Sequence, residues 1–503
     1  MSAGPSRRSL LMGAAALAAA VGPFAAATTA RAAARTPKVL VIGLDGALLG
    51  RIKDADAPHL DALMASGLTS LSALYAAPLA PTLSGPGWST VITGVWPDKH
   101  LVKDNAFAGH ALARYPDFLT RAETAKPGLS TYAVASWAPV TTTIFSPEVD
   151  TRVSTPSAEY DSGTTRRAVA ELRDGDRDAV FVHLDNIDHV GHSHGAADGS
   201  YLTAIHDADA QVGQMVSAVR NRSTYGSEDW LIMVTTDHGH TDAGGHGGAG
   251  AAERQTFLIA AGAGITPGST RHDIRMPDVA VSALAHLGIP VDPAWDLDGR
   301  ALQQPAPDAF DALRPRLGTR VDETGTGAAV LGFTHTPPDG WAVDNSAMGS
   351  GGVTEWRGWA FTTDEFWTAS ERGQGRENNV RARNVFAVAD GDEWADRSHS
   401  GTFDSTLVTP AWPVTGGSTA VLRYTTYYRQ EAPQKGEVLV SYDGGNPVPV
   451  KTYTADTASR NEAITLQVPA GARTARVRYR YTGGNNWFWT VDAVSLEPGT
   501  GAR

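Results

Sequence analysis

Two stretches constrain this chain more than any others: Phe181-Val-His-Leu-Asp-Asn-Ile-Asp188-His-Val-Gly-His192 and Leu231-Ile-Met-Val-Thr-Thr-Asp237-His238-Gly239. Each begins as an apolar run of the length of a buried strand, and each ends in Asp and His. Lys38-Val-Leu-Val-Ile-Gly-Leu-Asp45-Gly46 repeats the pattern. Strands that carry polar residues at their carboxyl ends belong to open α/β sheets, which bind ligands along that edge. Asp188 and His192, four residues apart, are expected in a polar loop leaving their strand.

Further strands are expected at 68–75, 131–137 and 256–261. Helices are expected at 58–66 (stopped by Gly67), from Trp88, at 166–173, at 201–220 and at 277–287. Strands alternating with helices imply a mostly parallel sheet covered on both faces. After Leu302 the character changes. Residues 303–324, which open with a proline- and alanine-rich run, read as a linker. From 325 onward short alternating runs such as Glu437-Val-Leu-Val-Ser-Tyr442 are separated by turn signals such as Asp443-Gly-Gly. That is the pattern of an antiparallel, jelly-roll-like β-sandwich. Eight of the 13 tryptophans follow residue 340, and core packing explains them better than a sugar-stacking platform. The expected organisation is a leader at 1–34, an α/β domain at 35–302, the linker, and a sandwich at 325–503.

The leader, with Ser6-Arg7-Arg8-Ser9-Leu10-Leu11, an alanine-rich segment and small-x-small sites at 30–34, resembles a twin-arginine export signal. A secreted or extracytoplasmic protein, exported folded and without a stable membrane span after cleavage, is expected. The net charge of −12 argues against nucleic-acid binding as the main role, and the absence of cysteine excludes disulfides and thiol catalysis.

The expected strand ends collect Asp45, Asp188, His192, Asp237 and His238. Nearby are Ser84, in a Gly-Pro-Gly turn, and His246, in Gly244-Gly-His-Gly-Gly248. Three carboxylates, three imidazoles and a hydroxyl suit two divalent ions, zinc best, with manganese as the alternative. Two adjacent ions can hold the attacking and leaving oxygens of a displacement at phosphorus. A serine hydroxyl, weakly nucleophilic when free, is activated by coordination. Ser84 at a helix start would also place a phosphoryl anion by free N–H groups.

These residues, in this order, resemble the alkaline phosphatase superfamily, most closely its nucleotide pyrophosphatase/phosphodiesterase branch. The matching pieces are the strand ending at Asp45, Pro81-Thr-x-Ser84-x-Pro-x-x-x-Thr-x-x-Thr-Gly94, Pro97-x-x-His100-x-x-x-x-Asn105, Asp188-x-x-Gly-His192, Asp237-His238-Gly and Gly245-His246-Gly. Asp278 and Leu297-Asp-Gly-Arg300 extend the resemblance to about residue 302. It implies an alkaline-phosphatase-like catalytic domain with one ion on Asp188, His192 and His246. The other would lie on Asp45, Asp237 and His238, with Ser84 between them as nucleophile and metal ligand. Asn105 would donate to a phosphoryl oxygen. The chain departs from the branch at Ser84, where threonine is usual, at Gly87, where asparagine is common, and at Leu101, where glycine follows the histidine. The frame around Ser84 is also similar to that of sulfatases, but Trp88 replaces their arginine, and the histidine-rich set does not suit a single calcium.

The expected activity is hydrolysis of phosphodiesters or pyrophosphates, nucleotide-type esters foremost, through a phosphoserine intermediate. Alkaline phosphomonoesterase activity is the alternative, and a glycan- or cell-wall-binding protein is the alternative of another class. Small phosphate esters are the expected partners, with glycan or cell-wall contact through the sandwich. Asp390, Asp392, Asp396 and Asp492 are candidates for a calcium ion there, against ordinary surface turns.

Overall fold

A computed structural model describes residues 35–499 apart from Tyr75, Ala77, Pro78 and Ala263. The export signal read at 1–34 lies outside the described residues. The first half is organised on eight strands: β1 (Thr36–Leu44), β2 (Gly67–Ala73), β3 (Thr131–Ala135), β4 (Thr151–Ser154), β5 (Ala179–Leu184), β6 (Glu228–Thr235), β7 (Gln255–Gly262) and β8 (Ser269–Arg271). They form one sheet in the order β4-β3-β5-β1-β6-β7-β2-β8. β1 lies centrally and pairs in parallel with β5 and β6. β7 alone runs against both of its neighbours.

Alternation along β1 explains its burial. Val39 and Val41 pack into one core, under helices Ser84–Thr93, Phe118–Ala125 and Asp278–His286. Leu40, Ile42 and Leu44 pack into the other, under helices Pro58–Ser66, Tyr160–Asp174 and Gly199–Arg220. A strand apolar on both faces must be covered on both. β4 and β8, of four and three residues, are too short to show a period. The main correction concerns the loop expected to hold Asp188 and His192. It is a helix, Asn186–His194, so the four-residue spacing puts both side chains on one face.

The second half is built mainly on two antiparallel sheets, with a short ladder of Ser350–Gly351 against His399–Ser400 beside them. One runs Ala360–Thr363, Val385–Asp390, Phe488–Pro498, Thr419–Tyr428, Thr457–Gln467; the other runs Val448–Tyr453, Lys435–Tyr442, Thr474–Gly483, Phe403–Val408, Ala342–Asp344. Trp356, Trp359, Trp367, Trp394 and Trp489 are fully buried in their shared core. Phe310 and Leu313, from the stretch read as a linker, join that core.

Buried ion pairs join the two halves. Arg383 lays both terminal nitrogens on Asp278, at 2.7 and 2.9 Å. Arg254 pairs with Asp364 at 3.0 Å, and Arg381 with Asp298 at 2.9 Å. Removing one partner of a buried pair strands a charge in low dielectric. Arg383→Ala is therefore expected to cost about 3–5 kcal/mol in urea unfolding, whereas a loss under about 1 kcal/mol would show that Asp278 finds solvent or another cation.

Candidate metal centre

Asp45 ends β1 between β5 and β6. Its Oδ2 accepts from the Trp88 indole N–H and from His183 Nε2, both at 2.9 Å. His183 lies opposite Gly43 in the β1–β5 register. Gly43 is required here, because a Cβ would fall 2.3 Å from the Trp88 ring. Asp237 ends the run of β6, and its Oδ1 accepts from Gly46 N–H at 3.2 Å. In both residues the remaining oxygen is buried without a hydrogen-bond partner. Those two orphaned oxygens lie 3.5 and 3.2 Å from His238 Nε2. Ser84 Oγ lies 3.4 Å from the same nitrogen.

A second cluster adjoins the first. His192 Nε2 lies 3.3 Å from Asp188 Oδ2, and His246 Nε2 lies 3.3 Å from Asp188 Oδ1. The two imidazole nitrogens face each other at 3.0 Å. His246 Nδ1 donates to the Thr82 carbonyl at 2.6 Å, which turns the Nε2 lone pair toward the cluster. The His238 and His246 rings stack at 3.8 Å between centroids, so the clusters share a wall.

These residues fit divalent ions. Donors about 2.0–2.1 Å from a tetrahedral zinc sit roughly 3.3 Å apart, the spacing seen in both sets. Orphaned buried carboxylate oxygens are costly unless a cation meets them. Burial, then the charges of Asp45 and Asp188, push the Asp237 carboxyl well above its usual range. Burial and the neighbouring His246 pull His238 down to about 4, which keeps it neutral and able to ligate near pH 7.

The structure thus brings together all seven residues expected as ligands. Ser84 is the first residue of helix Ser84–Thr93 and is nearly buried. Asn105 is exposed, and its Oδ1 accepts from Gly85 N–H at 2.7 Å, leaving its NH2 as a donor. Trp88 is a buried anchor for Asp45. Asp185 accepts from the Tyr160 hydroxyl and sits beside Asp45 and His183. Asp209 caps helix Pro58–Ser66 through Leu60 N–H at 2.7 Å.

The expected calcium quartet does not assemble. Asp390 is held by Arg376 Nε at 3.0 Å, and Asp492, four residues beyond the Asp390 partner Phe488 on the neighbouring strand, accepts from Arg383 N–H at 2.8 Å. Asp392 groups instead with Glu371 and Glu393, where Arg376 already supplies a cation.

Two residues escaped the sequence reading. His183 is one. The other is His240, fully buried, whose Nε2 donates to Asp188 Oδ1 at 2.7 Å. Its ring fills a slot between Gly46 and Gly191, where a Cβ on either would lie 2.7–2.9 Å from the imidazole. Its two-residue offset from His238 was the available signal. His240→Ala is expected to weaken ion binding at Asp188, His192 and His246 by about 10–100-fold in chelator competition, sparing the Asp45 site. Equal weakening of both sites, or of neither, would contradict that role.

Residues 39–247 match the family model for type I phosphodiesterase / nucleotide pyrophosphatase. Among curated proteins, the chain is similar to GPI ethanolamine phosphate transferase 2 of Eremothecium gossypii, 34% identical over 101 residues, 20% of this chain and 12% of that protein. The catalytic subunit of the human GPI ethanolamine phosphate transferase 2 is 26% identical over 137 residues, 26% of this chain and 14% of the relative. The matches therefore span only about an eighth of those proteins' length. Among solved structures, murine ectonucleotide pyrophosphatase / phosphodiesterase 5 aligns with a TM-score of 0.42 at 15% identity, covering 53% of this chain and 99% of that one. Phosphonate monoester hydrolase of Agrobacterium radiobacter aligns at 0.39 and 16%, covering 53% and 76%. Over residues 39–247, most of its α/β domain, this chain matches the type I phosphodiesterase / nucleotide pyrophosphatase family of the alkaline phosphatase superfamily, which supports a phosphoryl-ester hydrolase or transferase.

Proposed function

We propose that the protein is a secreted two-metal phosphohydrolase that cleaves phosphodiester or pyrophosphate bonds, nucleotide-type esters foremost, through a phosphoserine intermediate. One observation carries the reading. Ser84 Oγ, at a helix start, shares His238 Nε2 as a neighbour with the two orphaned carboxylate oxygens of Asp45 and Asp237. Zinc ions held by the two sets would favour the serine alkoxide and neutralise charge on the phosphoryl oxygens.

Ser84 Oγ attacks phosphorus as the P–O bond to the leaving group breaks, and the leaving oxygen departs with the proton given up by the Ser84 hydroxyl, as an alcohol from a diester or as a phosphate from a pyrophosphate. Asn105 donates its NH2 to a phosphoryl oxygen, and the start of helix Ser84–Thr93 favours the anion. Water then attacks the phosphoserine, which frees Ser84 and a phosphomonoester. Asp45, Asp188 and Asp237 keep their geometry throughout, because each carboxylate has one oxygen fixed by Trp88 and His183, by His240, or by Gly46. A transferase would use the same first half-reaction, with an alcohol replacing water in the second. The names of the curated relatives favour testing for it.

Ser84→Ala is expected to lower kcat on bis-p-nitrophenyl phosphate by about a thousandfold or more, with both ions retained. Full activity in that variant would overturn the nucleophile. Comparing kcat/KM for that diester, for p-nitrophenyl phosphate and for a nucleotide 5′-ester separates diesterase from monoesterase. Adding glycerol or ethanolamine as acceptor, and measuring the transferred product, separates hydrolysis from transfer.

A further inference from the structure

The sandwich touches the catalytic domain at a place that matters to the phosphate. Arg381, in the chain between helix Arg376–Asn378 and strand Val385–Asp390, is almost wholly buried. Its Nε reaches Asp298 Oδ1 at 2.9 Å, and Nη2 reaches Asp298 Oδ2 at 3.1 Å. The same guanidinium meets Asp98 at 3.0 and 3.1 Å. Nη1 also donates to the Ser459 carbonyl, so the arginine is fixed from its own domain.

Asp98 lies in the short helix Pro97–His100, the start of the segment that ends at Asn105. Asp298 holds that segment too, accepting from Trp96 N–H at 2.9 Å and from Lys99 Nζ at 3.0 Å. His100, fully buried, accepts Val102 N–H at 3.0 Å on Nδ1 and donates from Nε2 to Thr90 of the Ser84 helix at 3.1 Å. Burial pulls the His100 pKa down to about 3, so the ring is neutral and keeps this donor–acceptor arrangement. Leu101 turns the chain at φ 57°, and Asn105 then meets Gly85 N–H. The segment is therefore anchored by Arg381 at one end and by the nucleophile's own neighbour at the other.

We propose that Arg381 of the sandwich is a positioning residue for the phosphate-binding segment. Acting through Asp98, it sets where Asn105 presents its NH2 beside Ser84. The sandwich is then a working part of the hydrolase and not solely a targeting appendage. The inference rests on Asn105 being a phosphoryl donor, as in the reading above. An interdomain ion pair that served stability alone would be indifferent to Asn105. Small displacements of positioning groups cost large rate factors, about 100-fold for an ångström.

The test is a double-mutant cycle in the full chain. Asp98→Ala removes the direct contact of Arg381 with the segment while Arg381 keeps Asp298 and Ser459, so folding is spared. Inhibition by inorganic phosphate and KM for bis-p-nitrophenyl phosphate would be measured in wild type, Asp98→Ala, Asn105→Ala and the double variant, with bound metal counted in each. Asp98→Ala should raise both constants by about tenfold at unchanged metal content, and the effect should shrink below about twofold when Asn105 is already alanine. An undiminished effect in the Asn105→Ala background, or none in wild type, overturns the proposal. Hydrogen exchange of residues 97–106 gives a second arm that needs no catalysis. Faster exchange there in Asp98→Ala and in Arg381→Lys, with residues 84–93 unchanged, supports the positioning; unchanged exchange overturns it. A wild-type protein that neither hydrolysed the diester nor bound phosphate would overturn the proposed function, and is told apart by the exchange arm.

Discussion

Three carboxylates, Asp45, Asp188 and Asp237, meet at the carboxyl edge of the sheet within a few ångströms of shared imidazoles, and little water reaches them. Like charges so placed repel strongly in low dielectric, and burial together with that repulsion raises the Asp237 carboxyl. Each residue has one oxygen fixed by a donor from the scaffold. For Asp45 and Asp237 the other is left bare toward His238. Divalent cations would resolve that conflict, and the packing nearby serves the same geometry. Gly43 makes room for Trp88, Gly46 and Gly191 make room for His240, and Thr82 orients His246.

The sheet makes this crowding affordable. β1 is held in parallel between β5 and β6 and is buried on both faces, so Asp45 starts from one of the stiffest positions in the chain. Asp188 and His192 come from a helix that starts directly after β5, and the helical repeat aligns them. Ser84 begins a helix buried along its whole length. The candidate chemistry therefore sits on strand ends and helix starts. Asn105 is the exception, on an exposed segment, and it is the residue whose placement draws on the sandwich.

What could be read in the sequence was local. Apolar runs ending in Asp and His announced β1, β5 and β6, and helical spacing announced a helix at 201–220, observed as Gly199–Arg220, because burial on a regular repeat leaves a period in the chain. The motifs then singled out seven residues that the fold brings together. His183 was hidden because its value depends on facing Gly43 across a pairing about 140 residues long in sequence. His240 was hidden inside a histidine-rich run where only the glycine slot singles it out. The Arg381 bridge to Asp98 spans 283 residues, and no local pattern reports such a contact. The aspartates read as a calcium set were misjudged for the same reason, since Arg376 takes Asp390 from another element.

The central claim is that the two Asp/His sets each hold one ion with Ser84 between them. Anomalous diffraction at the zinc edge, from crystals of the protein prepared with zinc, addresses it directly. The account predicts two peaks, one among Asp188, His192 and His246 and one among Asp45, Asp237 and His238, with Ser84 Oγ beside the second. A single peak, or density confined to Glu371, Asp392 and Glu393, would contradict it.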